Sequence, residues 1–550
     1  MSPHLAQKYP AFPPVDLPNR QWPGRQLSHA PIWCSVDLRD GNQALIEPMN
    51  LQEKLELFEL LVALGFKQIE VAFPSASQVE FDFVRKLIHE NRIPADVTIQ
   101  VLTQAREHLI RRTFEAITGA PRAIVHLYNS TSPAQRRIVF NMSEDEIVEV
   151  ALAGTRLIKQ LAAEQTVTKV DFEYSPESFT STELEFSLRI CKAVMDVWEP
   201  TPERPIILNL PATVEVATPN VYADQIEWML NHLPNRESVI LSLHTHNDRG
   251  CAVAAAELGQ LAGADRVEGT ILGYGERTGN VDIVTLALNL MSHGIDPGLD
   301  LSNVPRLIEV VHRCTDEVIH PRHPYIGELV YTAFSGSHQD AISKGLKAHR
   351  PDAAWDVPYL LIDPKDIGRE YEGIIRVNSQ SGKGGVAYIL RAEFGLDLPK
   401  AMQPEFSRIV QTIADRSGKE LKPEVIYSAF EETYLSANAK YQLGDVTITS
   451  VGSSAERVHV NAVVTVDGER LLASADGIGP LDAFANALRT VGVPEFRVCS
   501  FHEHSLASGA TARAAAYVSV ESEGRQRWGA GVDPSITMAS LRALISALNR

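Results

Sequence analysis

Residues 31–65 read PIWCSVDLRDGNQALIEPMNLQEKLELFELLVALG, and the order of elements in this stretch decides the fold. PIWCSVDL is a short, β-prone run, whereas LQEKLELFELLVAL carries its apolar residues at helical spacing. Asn50 with Glu53 is typical of a capping box at the start of a helix, and Gly65 is typical of its end. The stretch therefore predicts a β-strand that is followed by an amphipathic α-helix.

The same alternation continues to about residue 295 and predicts eight βα units. A closed (β/α)8 barrel requires this number of units. An open doubly wound sheet is the alternative, but no GxGxxG follows the first strand to indicate a dinucleotide fold. The predicted strands are PIWCSVDL (31–38), QIEVA (68–72), VTIQVL (97–102), AIVHL (123–127), KVDFEY (169–174), PIILNL (205–210), VILSLH (239–244) and RVEGTI (266–271).

The pattern changes beyond the barrel, and the last part contains an internal repeat. Gly477, Gly479, Ala483 and Ala487 align with residues that lie 52 positions later: Gly529, Gly531, Ser535 and Ala539. We therefore predict an α/β protein in which a (β/α)8 TIM barrel is followed by a helical accessory region and a duplicated α+β domain. The predicted boundaries are 1–30 for an N-terminal extension, 31–295 for the barrel, 296–435 for the accessory region and 436–550 for the duplicated domain.

The composition limits the kinds of molecule that the protein is expected to bind and the compartment in which it is expected to lie. The 550 residues include 44% hydrophobic residues and carry a net charge of −18, so no overall positive field exists to hold nucleic acid or an anionic membrane. Five scattered cysteines without a CxxC pair indicate a reducing compartment. The N-terminal residues have no apolar signal core and no later stretch approaches a membrane span, so we expect a cytoplasmic protein.

The segment LSLHTHND (241–248) carries the sharpest chemical signal. His244 and His246 lie two residues apart at the end of a predicted strand, so both side chains can reach one ion. Active groups of such barrels gather at these strand ends, where Asp40 of DLRDGNQ (37–43) would add a carboxylate. Two histidines and a carboxylate suit Mg²⁺, Mn²⁺, Zn²⁺ or Fe²⁺. Asn280, in GYGERTGN (273–280), would ligate or orient the metal.

Each of these motifs also fits a purely structural role. The two histidines can be packing residues, DLRDG can be a turn with a solvated ion pair, and GYGERTGN can be a glycine-rich turn with Asn280 as a helix cap. Further strand ends offer four more polar side chains that suit one shared site: His126, Glu173, Glu177 and Thr213. Their number favours a functional site over chance.

Three motifs carry a resemblance to a known family. SVDLRDGNQAL, SLHTHNDRG and GYGERTGN, in this order, resemble the Claisen-condensing branch of the metallolyase-type barrel enzymes. NLPATVEVATPNVYADQIEW (209–228), RHPYIGELVYTAFSGSHQDAISKG (322–345) and the duplicated domain are similar to the longer bacterial type of the 2-isopropylmalate synthase family. Asn42 departs from the acidic residue that many relatives carry, while Arg39, Asp40 and Gln43 stay in place.

The resemblance implies a metal-dependent condensation of acetyl-CoA with 3-methyl-2-oxobutanoate and water. The products would be (2S)-2-isopropylmalate and CoA, in the first committed step of leucine biosynthesis. Related homocitrate and citramalate synthases, which use other 2-keto acids, are the alternative. An Fe²⁺-dependent oxygenase and a leucine-sensing protein without catalysis are the competing hypotheses. Mg²⁺ is the expected metal, with Mn²⁺ or Zn²⁺ as alternatives.

The resemblance also implies roles for individual residues. The metal ligands would be Asp40, His244 and His246, with Asn280 as a ligand or a neighbour of the metal. Arg39 would stabilise developing negative charge, and His126 and Thr213 would contact the keto acid. The base that removes the methyl proton would be Glu177 or His338, with Tyr371 in support.

Assembly and control follow from the same resemblance. The chain would form a homodimer in which His338 reaches the active face of the partner subunit. Leucine would act as a feedback inhibitor and bind to the duplicated domain, near residues 477–482 and 529–533.

Overall fold

The computed structural model describes residues 8, 9, 11–333, 335–371, 383–417, 421–435, 440–451, 457–506 and 512–550. The chain packs as two compact units. The first comprises Met1–Val330 with Ile362–Glu370, and the second comprises Tyr331–Leu361 with Tyr371–Arg550. Within the described ranges, no helix combines the length and the apolar character that crossing a bilayer requires.

The first unit is built on a closed barrel of eight parallel strands in chain order. Ile32 to Ser35 of the first strand pair with Arg266 to Gly269 of the last, and this pairing closes the barrel. The predicted TIM barrel is therefore confirmed, and the open sheet is excluded. The strands are β1 (Ile32–Ser35), β2 (Gln68–Ala72), β3 (Thr98–Gln104), β4 (Arg122–Ser130), β5 (Lys169–Glu177), β6 (Ile206–Ala212), β7 (Val239–Thr245) and β8 (Arg266–Gly269).

Helices separate the strands and cover the outside of the barrel. Asn50 accepts hydrogen bonds from the backbone of Gln52 and Glu53, and Glu53 accepts one from the Asn50 N–H, so the predicted capping box is present. Gly65 ends that helix in the left-handed region, at φ 103°. The helices are α1 (Leu51–Leu64), α2 (Gln78–His89), α3 (Glu107–Ile117), α4 (Glu144–Glu164), α5 (Leu184–Trp198), α6 (Pro219–His232), α7 (Ala252–Leu261), α8 (Ile283–Ser292) and α9 (Val304–Thr315).

Two of the strands, β1 and β8, are shorter than predicted. β1 ends at Ser35, and the following DLRDG forms a single π-helical turn, Asp37–Gly41. Oδ1 of Asp37 accepts a hydrogen bond of 3.0 Å from the backbone N–H of Ile271, so the loop after β8 holds this turn. β8 itself ends at Gly269 because the chain returns, and the N–H of Thr270 donates to the carbonyl of Val281.

The second unit contains helices and two antiparallel sheets. The elements are α10 (Gly336–Ala348), α11 (Lys383–Phe394), α12 (Gln403–Ser417), α13 (Pro423–Phe430), β9 (Tyr441–Ser450), β10 (Arg457–Val466), β11 (Glu469–Ile478), α14 (Pro480–Thr490), β12 (Phe496–Ser505), β13 (Ala514–Ser522), β14 (Arg525–Asp533) and α15 (Ile536–Asn549). The first sheet has the order β11-β10-β9 and the second has the order β12-β13-β14, and each is followed by one helix.

Each copy of the sequence repeat forms one of these three-stranded sheets together with the helix that follows it. Gly477 and Gly529 allow each helix to approach its sheet: a Cβ at Gly477 would lie 2.3 Å from the Ala483 nitrogen, and one at Gly529 would lie 2.2 Å from the Ala547 nitrogen. Within the second unit, the strands and helices of the two repeat copies share one apolar core. The domain boundaries near residues 295 and 435 stay predictions.

Candidate active site

A pocket of about 370 Å³ opens at the C-terminal end of the barrel strands. This is the end at which barrel enzymes place their active residues. Polar side chains from six of the eight βα segments converge there. The lining residues are Arg39, Asp40, Gln43, Leu102, His126, Tyr128, Ser175, Glu177, Asn209, Pro211, Thr213, His244, His246, Glu276 and Arg277.

Asp40, His244 and His246 form a group at this pocket that we name the rim cluster. Oδ2 of Asp40 lies 3.5 Å from Nε2 of His244 and 3.8 Å from Nε2 of His246. One ligand atom from each of the three residues lies within 4.8 Å of the others, and all three side chains are buried. His244 lies on β7 and His246 directly follows the end of that strand, while the π-helical turn after β1 carries Asp40.

The rim cluster fits a divalent cation. Oδ2 of Asp40 and Oδ1 of Asn280 are buried and make no hydrogen bond in the described part of the chain, so two oxygen atoms lack a donor. Asn280 faces His246 through an isolated β-bridge. Two imidazole nitrogens with carboxylate and amide oxygens are a donor set for Mg²⁺, Mn²⁺ or Zn²⁺. Asn280 is not the helix cap, because Asp282 caps α8.

The electrostatics of the rim cluster favour positive charge. Burial opposes ionisation of Asp40, but Arg39 and the histidines outweigh it and hold the pKa of this carboxyl below its usual range. Burial also disfavours a charged His244, yet Asp40 and Glu268 raise the pKa of His244 to about 9. Burial and the neighbouring His244 lower the pKa of His246 to about 3. A bound cation would therefore replace the proton that His244 otherwise holds.

Arg39 lies between two carboxylates at the edge of the same pocket. Its Nη1 donates to Oδ1 of Asp40 and its Nε donates to Oε2 of Glu70, which leaves the opposite oxygen of Asp40 to face the histidines. The Arg39 side chain is 9% exposed, and its carboxylate neighbours raise the pKa of the guanidinium despite the burial. Arg39 therefore stays charged beside any bound substrate.

Three more predicted residues of the barrel, His126, Glu177 and Thr213, also line the pocket, whereas the predicted Glu173 is fully buried and does not. Nδ1 of His126 contacts Oε1 of Glu70 at 2.8 Å, and Nε2 of His126 contacts Oγ of Ser175 at 2.7 Å. Glu177, at the end of β5, accepts a hydrogen bond from the Ser130 hydroxyl. Oγ1 of Thr213 accepts one of 2.9 Å from the backbone N–H of Ser178, so the hydroxyl hydrogen of Thr213 can point into the pocket.

The remaining two predicted residues belong to the second unit. His338 lies near the start of α10, is exposed, and stacks on Tyr359 with ring centroids 4.1 Å apart. Tyr371 is half-buried and lies in an irregular segment. Their roles stay predictions.

Known proteins resemble the chain over its full length. The family described as "HMGL-like" matches residues 30–311, "Alpha-isopropylmalate synthase, post-catalytic domain-like" matches 328–391, and "LeuA allosteric (dimerisation) domain" matches 420–550. The 2-isopropylmalate synthase of Clostridium acetobutylicum is 53% identical over 553 residues, with 99% of both chains covered. That of Kineococcus radiotolerans is 56% identical, with 98% of this chain and 96% of the relative covered.

The chain belongs to the 2-isopropylmalate synthase family. This confirms the family that the three motifs indicated. Among solved structures, hydroxymethylglutaryl-CoA lyase from Pseudomonas aeruginosa matches with a TM-score of 0.43 and 20% identity, covering 53% of this chain and 96% of that one.

Some pocket residues of this 2-isopropylmalate synthase family member were not singled out from sequence. Arg277 donates from Nε to Oδ1 of Asp248 at 2.7 Å and from Nη2 to the carbonyl of Thr213, so it ties the loops after β6, β7 and β8 together. Glu276 accepts a hydrogen bond of 3.2 Å from Gln43. Both residues lie within GYGERTGN. The sequence pattern that could have indicated these two pocket residues is therefore a pair of charged residues between glycines.

Proposed function

We propose that this chain is a 2-isopropylmalate synthase that condenses acetyl-CoA with 3-methyl-2-oxobutanoate and water to give (2S)-2-isopropylmalate and CoA. The observation that supports this proposal is the rim cluster beside Arg39, in a chain whose relatives carry that name over their full length. A 2-keto acid offers two oxygens to such a site, one from its carboxylate and one from its ketone.

Asp40, His244 and His246 would hold the divalent metal, together with Asn280 as a ligand or an orienting neighbour. When bound, the ion would polarise the ketone and offset the negative charge that develops on its oxygen. Mg²⁺ is the proposed ion, because carboxylate and amide oxygens suit it, and Mn²⁺ or Zn²⁺ would fit the histidines.

The surrounding side chains would bind and orient the substrates. Arg39 keeps its charge between Asp40 and Glu70, so it would stabilise the enolate or alkoxide oxygen. Thr213 and His126 would contact the keto acid, and the Thr213 hydroxyl would donate a hydrogen bond to it. Their positions in the pocket wall support these roles.

Removal of the acetyl methyl proton needs a base. Glu177 lines the pocket and is one candidate. The other candidate is His338 of the partner subunit in a homodimer, and Tyr371 would act in support. Substitution of Glu177 by Gln and of His338 by Ala, each assayed for exchange of methyl protons with solvent, would decide between the two.

The match of residues 420–550 to an allosteric dimerisation domain supports regulation and a homodimer. We place the leucine site near the Gly477–Asp482 turn and its copy near Gly529–Asp533. A chain truncated at residue 430 that was still inhibited by leucine would contradict this placement.

The test of the proposed function is release of CoA thiol from acetyl-CoA, measured over a panel of 2-keto acids with and without chelator and leucine. We expect release that requires both metal and keto acid and is fastest with 3-methyl-2-oxobutanoate. Faster release with another keto acid would favour a homocitrate or citramalate synthase. Oxygen uptake with 2-oxoglutarate would favour an oxygenase, and leucine binding without turnover would favour a sensor.

A further inference from the structure

A second group of ionisable side chains lies inside the barrel, and we name it the interior cluster. It consists of Glu70 on β2, His126 on β4, Glu173 on β5, and Arg266 and Glu268 on β8. The three glutamates and Arg266 are 0% exposed, and His126 is 3% exposed. His126 alone among the five lines the pocket.

The three glutamates receive very different numbers of hydrogen bonds. Glu268 is contacted by four donor groups at 2.8–3.1 Å, from Gln100, Asn209, Arg266 and His244. Glu70 is contacted by Arg39, Gln100 and His126. Neither carboxylate oxygen of Glu173 receives a hydrogen bond from an N–H or hydroxyl donor within the described ranges.

Glu173 is therefore the carboxyl group of the cluster whose surroundings least favour a negative charge. Where buried carboxylates lie close together, the one that receives the fewest hydrogen bonds has its pKa raised most. The titratable and charged groups that face Glu173 are Cys34 from β1, Glu70, His126, Arg266 and Glu268. Burial raises the pKa of Glu173 well above its usual range, and Glu268 and Glu70 raise it further, against Arg266.

A proton fits this cluster better than a second metal ion. His126, Glu173 and Glu268 do offer three ligand atoms within 4.8 Å of one another. However, Nη1 of Arg266 lies 2.8 Å from Glu268 and its Nη2 lies 3.4 Å from Glu173. A resident guanidinium already supplies the positive charge, so a divalent cation would be repelled.

Glu173 is in reach of a residue that lines the pocket. Its Oε1 lies 3.4 Å from Nε2 of His126. Nδ1 of His126 faces the Glu70 carboxylate at 2.8 Å and so carries the hydrogen of a neutral ring, which leaves Nε2 to accept a proton.

We propose that Glu173 stores a proton in the resting protein and passes it to Nε2 of His126, which delivers it to the former ketone oxygen of the keto acid. The O–H bond of Glu173 breaks as the N–H bond of His126 forms, and Glu70 and Glu173 then flank an imidazolium. The Ser175 hydroxyl, 2.7 Å from Nε2, can carry the proton onward. A proton from water restores Glu173, and the methyl proton leaves to water through the base.

The first experiment reads protonation without any need for turnover. The infrared spectrum of the wild-type protein at pH 8 should show the carbonyl stretch of a protonated carboxylic acid that Glu173→Gln lacks. Asp37, whose pKa burial raises to about 6, is ionised at this pH. The control is Glu227→Gln, because Glu227 is equally buried but accepts hydrogen bonds of 3.0 Å from the Gln21 N–H. An unchanged spectrum in Glu173→Gln would overturn the proposal.

The second experiment separates proton delivery from packing, and it rests on the proposed function. Glutamine keeps the shape and hydrogen-bonding capacity of a neutral glutamate but has no acidic proton. We expect Glu173→Gln to lower kcat for CoA release by about 100-fold with KM for the keto acid nearly unchanged. Glu173→Asp, which keeps the acid, should recover part of kcat. Wild-type kcat in Glu173→Gln would overturn the proposal, whereas absence of CoA release from the wild type would refute the synthase and leave the infrared result standing.

Discussion

The rim cluster and the interior cluster are built from the same kinds of side chain but have opposite charge balances. Each brings histidine and carboxylate atoms within 4.8 Å of one another. In the interior cluster Arg266 contacts both Glu173 and Glu268, so positive charge is already present. In the rim cluster Arg39 contacts only one oxygen of Asp40, and the other oxygen faces two imidazoles and the pocket. Ligand types and spacing therefore identify a metal site only when the neighbouring cationic side chains and access from the pocket are also considered.

The largest expected effect comes from removing the resident cation. Arg266→Met would leave Glu268 and Glu173 without their buried guanidinium, and breaking a buried pair costs about 3–5 kcal/mol. We expect a loss of that size in the free energy of unfolding, measured with urea. The control is Arg189→Met, whose surface pair with Asp145 is exposed and should change stability by less than about 1 kcal/mol. Equal losses of unfolding free energy in the two variants would contradict the role given to Arg266 in the interior cluster.

The next effect tests the rim cluster. His246→Ala removes a ligand atom, so we expect binding of Mn²⁺ in titration calorimetry to disappear and CoA release to fall by at least about 100-fold. The unfolding free energy of the metal-free protein should change little, because Nδ1 of His246 makes no hydrogen bond in the described chain. His232→Ala, an exposed histidine on α6, is the matched control. Retained Mn²⁺ binding would show that the rim cluster is not the metal site.

The two clusters differed in how far the sequence predicted them. The rim cluster was predictable, because His244 and His246 are two apart on a strand and Asp40 follows another strand. His126 and Glu173 were also singled out as polar residues at strand ends, whereas Glu70, Arg266 and Glu268 were not, although Arg266 and Glu268 have the same spacing within RVEG. A charged pair at inward positions of a buried strand was the signal for the interior cluster.

The fold was predictable where local patterns decide it. The eight strands were found from alternation, and α1 from its capping box. The turn Asp37–Gly41 was not, because its shape depends on Ile271 and Tyr274, more than 200 residues later. A Cβ at Gly41 would lie 2.6 Å from the Tyr274 ring, so only the folded structure reveals why glycine stands there.

A smaller effect is expected where the two clusters meet. Glu268 belongs to the interior cluster, yet its Oε2 lies 2.9 Å from Nδ1 of His244 and so directs Nε2 of that ring toward Asp40. Loss of such a partner weakens metal binding by about 10–100-fold. We expect Glu268→Gln to weaken Mn²⁺ binding by this factor, while Glu227→Gln leaves it unchanged. Unchanged affinity in Glu268→Gln would mean that the clusters act independently.

The smallest expected effect on stability comes from removing one hydrogen-bond acceptor of Arg266. Nη1 of Arg266 donates to Oγ of Ser242 at 2.8 Å, and the guanidinium keeps Glu268 and Gln100 as acceptors when that hydroxyl is lost. Ser242→Ala should therefore cost about 1 kcal/mol of unfolding free energy. Ser187→Ala is the control, because this buried hydroxyl has no hydrogen bond within the described ranges and its loss should cost nothing. If Ser242→Ala cost as much as Arg266→Met, the interior cluster would depend on hydrogen-bond geometry and not on charge balance.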